Sequence, residues 1–119
     1  MAARLASGLL AAAPAFGYRL PELFGGSDGR RGEPVLAYPA ACRPQAWSAA
    51  GAIALVQAAL GLSADVPAGE LRVGPHRGFA DWFPMRVTGL CVAGHDLEVE
   101  VEADGTARVT TEAPVRRLL

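Results

Sequence analysis

One carboxylate stands in unusually apolar company: Glu22, in the run Leu20-Pro21-Glu22-Leu23-Phe24. An acid among apolar neighbours suits proton transfer, because poor solvation disfavours the charged form of a carboxyl group. Downstream, Tyr38, Gln45 and Trp47 lead into an Ala-rich segment. Aromatic rings beside amide groups suit sugars, which present flat apolar faces ringed by hydroxyl groups. A second acidic set, Glu98, Glu100 and Glu102, invites a metal or catalytic reading, but its alternation with Leu97, Val99 and Val101 favours the solvated face of a strand. His76, in Gly74-Pro75-His76, and His95, beside Gly94, lie in turn-like sequence and read as solvated loop residues. Cys42 and Cys91 form no C-x-x-C pair and have no clustered histidine, so no metal site is expected. No Gly-rich phosphate loop follows a strand, and neither a nucleophile elbow nor a Ser, His and Asp combination occurs. No cofactor is expected.

The elements that must hold these residues are few. A chain of 119 residues has room for one domain or for a piece of a larger one. Its hydrophobic fraction of 51%, charged fraction of 19% and mean hydropathy of +0.23 exclude a disordered chain. The net charge is -1, and the 11 basic residues, all Arg, are scattered, so neither nucleic acid nor an anionic membrane is a partner. The absence of Lys and Asn reads as coding bias and carries no functional meaning.

Residues 1–16 admit two readings. As a helix, Leu5, Leu9, Ala12 and Phe16 make one buried stripe that Pro14 ends or kinks. As a secretory signal, Arg4 is the charged start, residues 5–13 the apolar stretch and Ala13-Pro14-Ala15 the cleavage site. Residues 17–44 are rich in Gly, Pro and charge, and read as a long ordered loop with a flexible part at 25–32. Pro44 then opens a helix that runs to about Leu60, with Gly61 as its C-terminal cap. This helix is apolar on every side and is expected to be buried on every side. At about 17 residues, mostly Ala and carrying Gln57, it falls short of the roughly 20 strongly apolar residues of a membrane span.

The β region is the most legible part. Leu97 to Val101 forms a strand that returns through the three-residue loop Ala103-Asp104-Gly105, with Gly105 left-handed, so that Val101 faces Ala107, Val99 faces Val109 and Glu100 faces Arg108. A two-residue loop would mix the faces. Met85 to Val92 reads as a strand turning through Ala93 and Gly94 into the first, and Leu71 to Val73 as an extra strand of the same meander.

The run Tyr18-Arg19-Leu20-Pro21-Glu22-Leu23-Phe24-Gly25-Gly26, followed by Tyr38-Pro39-Ala40-Ala41-Cys42-Arg43-Pro44-Gln45-Ala46-Trp47, resembles the C-terminal end of bacterial glycogen debranching proteins of the amylo-alpha-1,6-glucosidase type. The segments Asp81-Trp82-Phe83-Pro84 and Gly89-Leu90-Cys91-Val92-Ala93-Gly94 resemble the β tail of those proteins. The resemblance implies an α+β piece of a six-hairpin glycosidase: residues 1–64 as the last two helices of an (α/α)6 barrel with the active-site loop between them, and residues 65–119 as an antiparallel β tail. It implies inverting hydrolysis of an alpha-glucan or oligosaccharide in the cytoplasm, with Glu22 as the catalytic base and Tyr38, Gln45 and Trp47 lining the substrate pocket. The acid that must stand roughly 6.5 to 9.5 Å from the base belongs to an upstream barrel segment. Twelve helices with ordinary connections need at least about 200 residues, so the chain is expected to be a fragment, inactive without the missing N-terminal part of the barrel. The rival expectation is a small exported, non-enzymatic interaction domain. It has a signal at 1–15, a helix packed on the β meander, and a Cys42 to Cys91 bond.

Overall fold

The computed structural model describes residues 2–25 and 35–119 and divides into two compact units, Met1–Leu55 and Val56–Leu119. Most of the flexible part read at 25–32 therefore lies outside the described residues.

In the first unit, the Ala and Leu of the opening segment form helix α1 (Ala2–Ala12), as their high helix propensity dictates. Pro14 then enters a 3-10 turn over Ala13–Phe16 that ends on left-handed Gly17. The buried stripe is not the expected one. Ala6, Ala12, Ala13 and Phe16 are buried, whereas Leu5 is 67% exposed and Leu9 36%. Cover falls instead on the end where the chain turns back: the Phe24 ring lies 5.5 Å from that of Phe16, and the Arg43 guanidinium sits over Phe16 and donates to its carbonyl at 3.0 Å. The loop closes through the antiparallel pair β1 (Phe24–Gly25) and β2 (Leu36–Ala37). Helix α2 (Ala46–Leu60) starts after Gln45, whose side-chain oxygen accepts from the Ala46 N–H at 3.0 Å.

The terminal helices of an (α/α)6 barrel are not what this chain forms. Among the described residues only α1 and α2 reach seven residues, and eight strands in three sheets account for the remaining regular structure apart from short 3-10 turns. Barrel helices interlock along their lengths; here the start of α2 and the end of α1 flank an open groove. Nor is α2 buried on every side: only Ala59 and Leu60 are, while Trp47 is 82% exposed. Uniform apolarity gave the helix no face that its neighbours were obliged to cover.

The second unit receives the end of α2, and all four of its terminal carbonyls are satisfied there. Leu62 donates to Gln57 and Gly61 to Ala58, the paired bonds of a glycine-ended helix with Gly61 at φ +56. The Ala59 and Leu60 carbonyls accept from His76 and Gly74. Gly61 touches the Gly74 backbone so closely that a Cβ would overlap its carbonyl oxygen.

The meander forms as its alternation requires: β5 (Met85–Val92), β6 (His95–Val101) and β7 (Ala107–Thr111) pair in that order. Val99 faces Val109, Glu100 faces Arg108 and Val101 faces Ala107, across a loop in which Gly105 has φ +88 and the Asp104 carboxylate accepts from the Thr106 N–H. Thr88 and Gly89 together oppose Glu98, a bulge that keeps Val87 and Leu90 both facing inward. The extra strand is displaced from its expected sheet. It runs Glu70–Arg72 as β4 and pairs with β3 (Ser63–Asp65) and, in parallel, with β8 (Arg116–Leu118). Leu60, Leu71, Val73, Leu97, Val99 and Val101 build the core, each contributing about 1.5–3 kcal/mol by burial. From β8, Arg117 donates to the Val109 and Thr111 carbonyls of β7.

Candidate functional site

The residues singled out by their chemistry lie where the loop meets α2. The Glu22 N–H donates to the Cys42 carbonyl at 3.1 Å, and the Cys42 N–H points at Glu22 Oε2 at 3.5 Å, so that carboxylate and backbone together tie the two limbs of the loop. Pro21, beside it, is buried and accepts from Ser48 Oγ at 2.8 Å, which fixes the limb to α2. Glu22 itself is exposed. The apolar enclosure that its neighbours suggested does not form, because Leu23 turns outward, 54% exposed.

Glu22 nevertheless lines a groove of about 380 Å³ whose walls come from α1, the loop and α2, with Leu9, Leu20, Phe24, Trp47 and Leu55 among its apolar residues. That volume lies in the range of small-molecule sites. Trp47, one helical position into α2, lines the same groove as Glu22 and is largely exposed. Gln45 is not in it. It lines an adjoining hollow of about 360 Å³ with Tyr18, Arg19 and Pro44, and its amide oxygen caps its own helix. Tyr38 lines neither hollow; it is 52% exposed in the turn where its carbonyl accepts from Ala41. Of the four residues, then, the structure brings Glu22 and Trp47 together, sets Gln45 next door and leaves Tyr38 apart. Within the first unit Glu22 is the one carboxylate among the described residues.

Ser48 and Tyr18 escaped the sequence reading. Tyr18 has φ +60 and is 80% exposed. A bulky residue in this region costs about 1–2 kcal/mol, and the only signal for it was a Gly-Tyr pair directly after a helix-ending Phe.

The acidic row of β6 is a charge ladder. Arg86 of β5 bonds Glu98 at 2.8 Å and approaches Glu100 at 3.4 Å, while Arg108 of β7 reaches Glu100 at 3.3 Å and Glu102 at 3.7 Å. The bond and charge of Glu98, then the charge of Glu100, raise the Arg86 pKa. At the start of β4, Arg116 and then Arg72 hold Glu70 below the usual glutamate range. Among the described residues no cluster of three His, Cys, Asp or Glu side chains could hold a metal. His76 is exposed and accepts from the Gly78 N–H through Nδ1 at 3.0 Å, opening a short 3-10 turn. Cys42 and Cys91 are both free and exposed. No helix of the described residues is long and apolar enough to cross a membrane.

Comparison of the chain with protein-family models, with curated proteins and with solved structures finds no match.

Proposed function

We propose that the first unit carries part of an alpha-glucan site of the kind used by glycogen debranching proteins of the amylo-alpha-1,6-glucosidase type, working in the cytoplasm without a cofactor. One observation carries this reading: a carboxylate, Glu22, and a free indole, Trp47, line the same groove. The indole offers an apolar platform for one face of a sugar ring, and the carboxylate is an acceptor for a hydroxyl group or for the proton of an attacking water. Inverting cleavage needs a second carboxyl group roughly 6.5 to 9.5 Å from the first. Glu22 is the one carboxylate among the described residues of this unit, so those residues bind glucan without cleaving it.

Electrophoresis of the whole chain through a native gel containing glycogen tests the reading. Retardation is expected for the wild type and for Glu22→Gln, and its loss for Trp47→Ala. Equal mobility of the wild type with and without glycogen would overturn it.

The bonds between Glu22 and Cys42 favour a second reading, in which the carboxylate only holds the loop and the chain is a non-enzymatic interaction module. On that reading Glu22→Ala lowers stability and Trp47→Ala leaves the mobility unchanged.

A further inference from the structure

We propose that this chain forms a symmetric dimer in which β5 pairs antiparallel with β5 of a second copy, about a two-fold axis between Thr88 and Gly89. The seam involves the second unit alone and does not depend on the glucan reading.

Strand β5 is an outer strand of its sheet, and among the described residues only β6 bonds to its backbone. The side chains it turns toward the core are incompletely covered. Met85, Val87 and Leu90 are half-buried, whereas Leu97, Val99 and Val101 on β6 are buried. The other outer strand, β7, is not equivalent, since Arg117 donates to its Val109 and Thr111 carbonyls.

The bulge decides which strand can complete the sheet. Its extra residue shifts the alternation by one, so a regular strand that matches one half of β5 meets the other half with its faces reversed. The edge therefore disfavours ordinary extended chains and accepts one that carries a bulge at the same place. A second copy does. Because Thr88 and Gly89 form the bulge, the inward residues Met85, Val87, Leu90 and Val92 are placed symmetrically about it. Antiparallel pairing about that point sets Val87 against Leu90 of the other copy and Met85 against Val92, apolar on apolar at both ends of the seam. A two-fold interface requires this kind of self-complementarity.

Charge is compatible with the seam. Arg86 is the only charged residue of β5. It falls opposite Cys91 of the other copy, and the two arginines stand about 17 Å apart along the strands, beyond the screening length of roughly 8 Å at physiological salt. The two Cys91 residues are separated likewise, too far for a disulfide.

Sedimentation equilibrium of the whole chain under reducing conditions tests the dimer. A seam of eight residues lies at the low end of interface sizes. The expected behaviour is a monomer of 12.3 kDa in equilibrium with a dimer of twice that mass, with a Kd of about 10–100 µM. Substitutions at the exposed Cys91 read the register, because this side chain faces Arg86 of the other copy. Cys91→Arg sets like charges opposite each other twice and should weaken the dimer about tenfold, while Cys91→Glu should tighten it about threefold. Cys91→Ser should leave it unchanged. Within one copy Cys91 faces Asp96, a favourable neighbour for an arginine, so loss of the dimer in Cys91→Arg is not loss of the fold. A dimer indifferent to the two charged substitutions, or shifted by them in the opposite order, would overturn the seam. A chain that stays monomeric up to about 1 mM would overturn the second copy as the occupant and leave the edge to a bulged strand of another protein.

Discussion

Ile53 and Leu60 are one heptad apart and so lie on nearly the same side of α2, yet Ile53 is 60% exposed and Leu60 is fully buried. The helix runs from one unit into the other, and the contrast belongs to the units. In Val56–Leu119 the apolar residues alternate with charged ones, so each strand has a single side to bury, and glycines with positive φ stand where the chain reverses. In Met1–Leu55 the apolar residues have no such direction, and Leu5, Leu10, Leu36 and Trp47 remain at the surface. A closed core thus follows from where apolar residues point more than from how many there are. The undirected surface also carries the groove that Glu22 and Trp47 line.

Substitutions can break this contrast. The largest effect is expected for Leu60→Ala, which empties a fully buried position and should cost about 2–5 kcal/mol in urea denaturation. Ile53→Ala, in the same helix, should stay within about 0.5 kcal/mol of the wild type. Similar losses at both positions would mean that the first unit is as closed as the second. Next comes Gly61→Ala: the left-handed backbone alone makes a Cβ cost about 1–2 kcal/mol, and overlap with the Gly74 carbonyl adds to it. Gly51→Ala, at a position of open space within α2, should instead stabilise by about 0.5–1 kcal/mol.

A smaller effect depends on pH. Glu70 is held below its ordinary value near 4.5 by Arg116 and Arg72. A carboxyl group whose pKa is lowered by folding contributes stability that is present above its unfolded pKa and disappears as pH falls through the folded value. Melting temperatures of the wild type and Glu70→Gln should therefore differ at about pH 6 and converge near about pH 2–3, with the wild type the more stable at the higher pH. A constant gap would remove the ion pairs as its cause. Asp104, lowered by the Thr106 N–H, shifts in the same direction.

How much of this the amino-acid sequence disclosed follows the same division. The strand Met85–Val92, the register from Val99 to Val109 and the role of Gly105 were legible because side-chain alternation and turn chemistry are local. The sheet to which Glu70–Arg72 belongs was not, since its parallel partner β8 lies 46 residues downstream, beyond any local signal. Helix α2 was legible as a helix, but its all-round apolarity was consistent with many surroundings, and the barrel inferred for it did not follow. At the candidate site, Glu22 and Trp47 could be picked out by type, whereas the exposure of Glu22 depends on the outward turn of Leu23 and the prominence of Tyr18 on one backbone angle.

Arg117 carries a consequence for how copies of this chain behave together. Strand β7 is the outer strand of its sheet, and the carbonyls it turns away from β6 at Val109 and Thr111 are open to any extended chain that approaches. The guanidinium occupies both with a fixed positive charge, and a neighbouring strand can no longer add to the sheet there without displacing it. One side chain thus satisfies the carbonyls at which a further strand would bond to this edge. Arg117→Ala should cost little in stability and show itself as concentration-dependent growth of β-rich aggregates.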